Sequence, residues 1–150
     1  MKLWIKFLLI TLVIGIPAFI LGSIIWVPSP DIKPTPQQIP FFIFLSLVES
    51  LFLGFGIAFI IFGWPLVKKV SSQSKNLTTA AFFALSWLLV SWWPHDNSHI
   101  HNGMNAQGLL YIDYIFHFTL IISTLILSYY FFNLLKRVAA KPAKINRKEA

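Results

Sequence analysis

Residues 4–26 read WIKFLLITLVIGIPAFILGSIIW and contain a single charged residue, Lys6, close to their start. A helix needs about 20 consecutive apolar residues to cross the roughly 30 Å hydrocarbon core of a bilayer, so this run predicts a transmembrane helix. Pro17 lies in its interior, where proline bends a helix. The apolar region is longer than that of a secretory signal peptide, and no small-residue cleavage motif follows it. We therefore expect the helix to be retained.

Three further apolar runs of comparable character follow, at about residues 41–67, 77–93 and 109–135. The chain has 150 residues, of which only 11% are charged, whereas soluble domains carry about 25% charged residues. Its mean hydropathy is +0.72. We predict an all-α, polytopic integral membrane protein with one four-helix domain over residues 1–135, surrounded by the lipid bilayer. The chain has no cysteine, which excludes disulfides, thiolate metal sites and thiol catalysis.

Basic residues are concentrated in the segments that flank one side of the four spans. Of the 12 Lys and Arg residues, all but Lys33 occur in the N-terminus, the second connection or the C-terminal segment. Cytoplasmic segments are enriched in Lys and Arg, so we predict cytoplasmic termini, including a basic tail over residues 136–150. This placement explains the formal charge of +7 through topology and anionic lipid headgroups, which argues against nucleic acid as a partner. Two short outer loops and a basic inner face suit a bacterial plasma membrane.

The connection after the third span is rich in titratable side chains. Residues 94–108 read PHDNSHIHNGMNAQG, which predicts a polar extracytoplasmic loop with a turn at Asn102-Gly103. Pro94 would end the preceding helix. Three of the chain's four histidines fall in this loop: His95, His99 and His101.

Ionisable side chains inside the spans lie at a similar depth beneath this loop. Glu49 belongs to the second span, and Asp113 and His117 lie four residues apart in the fourth, on one helix face. Counted from the predicted span ends at about 1.5 Å per residue, all three belong to the outer half of the bilayer. Each such residue costs about 2.5 to 3.5 kcal/mol to insert, and such residues usually face a bundle interior and mark functional sites.

The histidines and carboxylates together predict a transition-metal site that is open to the outer face. Neutral imidazole is the commonest metal ligand, and imidazole with carboxylate suits Zn, Fe, Mn or Cu(II). The metal would activate water or dioxygen with Glu49 or Asp113 as the catalytic acid–base group, or the protein would handle metal without catalysis. A carboxylate that is not itself a ligand would orient His117 instead. The predicted ligands are His117, Asp113, His95, His99, His101 and Glu49.

Two short patterns resemble metal sites of known membrane enzymes. The His95-x3-His99 spacing resembles the HxxxH histidine boxes of membrane di-iron desaturases and hydroxylases. Those enzymes carry more histidines than this chain has in total, and they have an HxxHH box that this chain lacks, so we do not assign it to that family. The Asp113-x3-His117 pair resembles metal sites of membrane monooxygenase subunits, and it implies only a carboxylate and an imidazole placed close together.

Other interpretations stay open from the residues alone. The loop histidines would then be surface residues, and Asp113 with His117 would be a buried ion pair that joins helices. Glu49, Asp113 and His117 would also suit a proton relay or a proton-coupled transport component. The chain would equally serve as a non-catalytic subunit or assembly factor of a larger membrane complex. A seam of small residues on the second span predicts close packing, in a homo-oligomer or against a membrane-complex partner: Ser46, Ser50, Gly54 and Ala58.

Overall fold

A computed structural model describes residues 1–71 and 73–140 of the chain. Its helices are α1 (Leu3–Ile25), α2 (Ile39–Val70), α3 (Lys75–Asn102), α4 (Ala106–Ile112) and α5 (Phe118–Ala140). A π-helical turn, Asp113–His117, joins α4 to α5. Four segments are long and apolar enough to cross a membrane, namely α1, α2, α3 and the stretch Ala106–Ala139. The prediction of an all-helical chain with four candidate spans is confirmed.

Local hydrogen bonds define the helix ends around the candidate site. Ser74 caps α3 by accepting a hydrogen bond from a first-turn amide, and Asn105 caps α4 by accepting two. Between these helices Gly103 has a φ of +56°, a conformation that favours glycine. A side chain at Gly103 would also meet Ser29 of the connector between α1 and α2. The turn predicted at Asn102-Gly103 lies one residue later, at Gly103 and Met104, because Asn102 is the last residue of α3.

The third helix is longer than predicted, and most of the histidine-rich segment is helical. We expected the helix to end at Pro94, but α3 continues to Asn102. The prediction of a loop over residues 94–108 was therefore wrong for its first nine residues and, because α4 begins at Ala106, for its last three. A membrane helix tolerates the amide that proline lacks when side chains and neighbouring helices take over the freed backbone groups. The carbonyl that Pro94 leaves without its helical partner is that of Val90, four residues earlier, and α3 continues past it for about two further turns.

Each long helix packs chiefly against its neighbours in sequence, α1 on α2, α2 on α3 and α3 on α5. Small residues allow the closest of these contacts: a side chain at Gly54 would meet the backbone of Thr11, and one at Gly15 would meet the backbone of Ser50. Two members of the predicted small-residue seam, Ser50 and Gly54, thus face α1 of the same chain. Use of this seam by another chain stays a prediction.

The outer surface of the spans is mostly apolar. Large aliphatic and aromatic side chains on every span are exposed, among them Trp4 at 62%, Phe83 at 65% and Leu125 at 64%. A soluble monomer rarely exposes contiguous apolar surface on this scale, so these faces are suited to lipid. The last helix enters the predicted basic tail and reaches Ala140, and the remainder of that tail, 141–150, lies outside the described residues.

Candidate metal centre

Three imidazoles meet where α3 faces the π-helical turn. Nε2 of His95 lies 2.9 Å from Nε2 of His117. The ring centre of His99 lies 4.7 Å from that of His95 and 5.6 Å from that of His117. One ligand-type nitrogen from each of the three side chains lies within 4.8 Å of the others. The three histidines, which we call the histidine triad, can therefore hold one metal ion.

The helical structure of the segment after Pro94 brings the triad together. His95 and His99 are four residues apart on α3, so they share a face of that helix. His117 is the last residue of the π-helical turn, where the Phe118 amide bonds to the carbonyl of Asp113 five residues earlier. Such turns insert a residue into an α-helix and are frequent at functional sites.

Aromatic packing holds the turn against α3. The Trp87 ring stacks on Phe116 with a centroid distance of 6.1 Å and 7° between the planes. The Trp87 indole N–H donates to Thr119 Oγ1 at 2.9 Å. His95 meets the same Phe116 ring edge to face at 5.5 Å. These contacts fix the two helical segments that carry the triad relative to each other.

Two carboxylates orient two of the triad's rings. Asp96 Oδ1 lies 2.6 Å from His95 Nδ1, and Asp113 Oδ1 lies 2.7 Å from His117 Nδ1. An ionised carboxylate only accepts, so each Nδ1–H donates to it and each Nε2 keeps a free lone pair. Carboxylates hold metal-binding histidines in this way, and they raise the basicity of the coordinating nitrogen. In this arrangement His95 and His117 leave Nε2 available to a metal ion.

The close approach of these two nitrogens requires a positive species beside them. Two Nε2 lone pairs at 2.9 Å repel each other unless a proton lies between them or a cation attracts both. Two nitrogens bound to tetrahedral Zn²⁺ at about 2.0–2.1 Å lie roughly 3.3 Å apart. Opening the pair by about 0.4 Å would thus admit the ion. The distance between Nε2 of His95 and Nε2 of His117 therefore fits one metal ion shared by both, with little rearrangement.

Glu49 lies next to the triad without belonging to it. Its side chain, on α2, interacts with that of Asp96, and the residue is 8% exposed. Glu49, Asp96 and His99 line one cavity of about 270 Å³, which we call the polar cavity. The close group of ligand-type atoms contains His95, His99 and His117 without Glu49, and the role of Glu49 as a direct ligand stays a prediction.

His101 faces away from the triad. Its Nδ1 donates to the backbone carbonyl of Val27 at 2.8 Å, and its ring lies edge-on to Trp26 at 6.0 Å. It lies two residues beyond His99, which at about 100° per residue places it on nearly the opposite side of α3. His101 attaches the connector between α1 and α2 to the end of α3.

The structure therefore groups the predicted site residues unevenly. His95, His99 and His117 come together, Asp113 holds His117, and Glu49 lies beyond Asp96. Asp96 was not among the ligands predicted from the sequence. Adjacent residues on a helix do not face each other, so the spacing of His95 and Asp96 gave no sign of their contact.

Comparison with models of known protein families, with curated protein sequences and with solved structures found no match to this chain. No relative therefore supplies a function or a metal for the triad. Its chemistry must be inferred from the three imidazoles, the two carboxylates that orient them and the buried Glu49 nearby.

Proposed function

We propose that this chain is an integral membrane metalloprotein that binds a transition-metal ion through His95, His99 and His117. The observation that carries the proposal is the convergence of the three imidazoles, two of them held by carboxylates with Nε2 turned inward. Imidazole ligands suit Zn, Cu and Fe, whereas Mn prefers oxygen ligands. Zn²⁺ is the first choice, because three histidines with a fourth position left open is an arrangement found in catalytic zinc sites.

A catalytic role fits this ligand set better than a structural one. Structural zinc sites are closed by four protein ligands, whereas three leave a position for water or substrate. A metal ion in such a position lowers the pKa of bound water and supplies a nucleophile at neutral pH. Glu49 is then the nearby acid–base group, linked to the triad through Asp96 and the polar cavity. The proposed reaction class is metal-dependent activation of water.

A second candidate function is a proton relay, and one specific observation favours it. Titratable side chains form an unbroken series of contacts from α2 to the π-helical turn. Ionisable residues inside membrane spans commonly form such relays. The series runs through Glu49, Asp96, His95, His117 and Asp113. Metal content distinguishes the two candidates, because a relay of this kind needs no metal.

The test is metal analysis by mass spectrometry on protein purified in mild detergent with a tag that contains no histidine. We expect near-stoichiometric metal in the wild type and its loss in His99→Ala, because two imidazoles and open water positions bind transition metals weakly. His101→Ala is the matched control, since it removes an imidazole two residues away that faces another part of the chain. It should retain the metal.

A folded wild-type protein that carries no metal, and takes up none from Zn²⁺, Fe²⁺, Mn²⁺ or Cu²⁺, would remove the metal function. The proton relay would then be the better proposal, tested by proton flux in proteoliposomes. Equal metal content in His99→Ala and His101→Ala would place the ion elsewhere in the chain.

We also propose that the triad lies on the extracytoplasmic side, with both termini in the cytoplasm, because basic residues flank the opposite side of the spans. The chain has no cysteine, so single cysteines report cleanly. Lys33→Cys and Met104→Cys should react with a membrane-impermeant maleimide on intact cells. Asn76→Cys should react only after lysis. The reverse pattern would invert the orientation.

A further inference from the structure

A second cavity lies between the ends of α1, α2 and α3, on the side where α3 carries its histidines. It is partly open and has a volume of about 440 Å³, within the range of roughly 300–1,000 Å³ that is usual for small-molecule sites. Its lining carries no charged side chain and consists mainly of aromatic, aliphatic and proline residues. We call it the apolar cavity.

The connector between α1 and α2 closes one side of the apolar cavity. Pro28, Ile32 and Pro34 of this connector contribute to the lining. Two hydrogen bonds attach the connector to the end of α3: the Ser29 amide donates to the Ile100 carbonyl at 2.9 Å, and His101 donates to Val27. The cavity is thus a built feature of the fold rather than a gap between loosely packed helices.

One buried polar side chain in the lining has an unused hydrogen-bonding atom. Asn97 is 8% exposed, and its Nδ2 donates to the Trp93 carbonyl at 2.7 Å. Its Oδ1 accepts no hydrogen bond within the described residues 1–71 and 73–140. A ligand that donates a hydrogen bond to Oδ1 would therefore make a contact that no described residue of the protein makes.

The apolar cavity adjoins the polar cavity beside the triad. Phe42, Ser46 and Ile100 line both of them, so the two cavities are adjacent. Glu49 and His99 line the polar cavity alone. A molecule long enough to occupy both cavities would therefore have an apolar part among the ends of α1 and α2 and a polar end beside the metal centre.

We propose that the apolar cavity binds the hydrocarbon chain of an uncharged single-chain lipid from the surrounding bilayer, and that the lipid's polar end, a hydrogen-bond donor, lies toward Ser46, Asn97 and the polar cavity. An uncharged end follows from the uncharged lining, because a charged headgroup would enter it without a partner. A single chain follows from the volume. The role of this lipid as the substrate of the metal centre rests on the proposed function. Its binding in the apolar cavity does not rest on that function.

The test uses hexadecanol with a diazirine in the middle of its chain, added to the protein in nanodiscs and activated by light. Labelled positions are identified by mass spectrometry of peptides. We expect labelling of the peptide that contains Phe42 and Ile43, and we expect unlabelled hexadecanol to compete it away. The matched hydrocarbon without the hydroxyl group should label this peptide about tenfold less, because it leaves Asn97 Oδ1 unpaired.

Lipid in general contact with the helices serves as the internal control. A groove of about 410 Å³ between α3 and α5 is lined by Phe83, Ile122 and Ile126 among others, and its lining has no titratable side chain. Labelling there should not saturate and should be equal for the two probes. Ile32→Trp, which fills the apolar cavity from the connector, should reduce cavity labelling at least fivefold. Ile122→Trp is the matched change in the control groove and should leave cavity labelling unchanged.

Metal content, measured on the same samples, separates this inference from the proposed function. Saturable labelling at Phe42 and Ile43, lost in Ile32→Trp, supports the lipid site whether or not metal is bound. Saturable labelling in a protein without metal would support the lipid site. It would show that the bound lipid is not a substrate of a metal centre. In a metal-loaded sample, cavity labelling that is no stronger than in the control groove, is not competed away by hexadecanol and is equal for both probes would overturn the lipid site. The proposed metal function would be unaffected.

Discussion

Replacement of His117 by alanine is expected to lower the affinity for Zn²⁺ at least a hundredfold. Zinc binding by four protein ligands is worth roughly 10–16 kcal/mol, so one ligand contributes about 3 kcal/mol, and each 1.4 kcal/mol is a factor of ten. The loss should be larger than average here, because His117 Nε2 is already held toward His95 at 2.9 Å. Affinity is measured by competition with a chromogenic chelator in detergent.

Asp113→Asn should lower the same affinity by about tenfold to a hundredfold. The expected loss is smaller, because the carboxylate acts through the imidazole: it accepts from His117 Nδ1 at 2.7 Å, fixes the ring and raises the basicity of Nε2. Asparagine can still accept from Nδ1–H, but it brings no negative charge. The contribution of Asp113 should therefore disappear when His117 is absent.

The double variant His117→Ala/Asp113→Asn tests this dependence. Residues that act as a unit give non-additive changes, so the second substitution should alter the affinity less than twofold in the His117→Ala background. Fully additive losses of affinity would show instead that Asp113 binds the metal directly, as the sequence analysis predicted. Asp31→Asn, on the exposed connector, controls for the loss of one negative charge from the chain.

The membrane spans were predictable because lipid imposes a simple rule on sequence. Every span must be long and apolar, and a charged fraction of 11% leaves no other surroundings for most of the chain. The end of α3 was not predictable by the same rule. Proline usually ends a helix, whereas α3 continues past Pro94 to Asn102.

The error at Pro94 had a direct consequence for the site. In a loop, His95, His99 and His101 would be equivalent candidate ligands. On a helix, the spacing of four brings His95 and His99 together, whereas the spacing of two turns His101 away from His99. The i,i+4 pair of Asp113 and His117 was predictable, since it needs only helical geometry. The contacts of Asp96 depend on side-chain orientation and on α2, which the sequence alone does not specify.

The largest expected effect on folding concerns the contact of α1 with α2. A Cβ atom at Gly54 would press on the backbone carbonyl of Thr11 and lie 3.0 Å from the Gly15 amide nitrogen. Backbone atoms of a neighbouring helix cannot turn aside as a flexible side chain does, so Gly54→Ala should force α1 away from α2. Overpacking of this kind typically costs about 1–3 kcal/mol, occasionally more.

Gly22→Ala provides the matched comparison. Gly22 is also a buried helical glycine, but a Cβ there would have its nearest neighbours at 3.6 and 3.7 Å, ordinary contact distances to Asn97 and Trp93. Both substitutions gain the same helix propensity, about 1 kcal/mol, so their difference isolates the packing cost. In unfolding by SDS titration, Gly54→Ala should be less stable than Gly22→Ala by about 2–3 kcal/mol. Equal stabilities would mean that α1 does not pack on α2 through Gly54, and the small-residue seam would then be free for another chain.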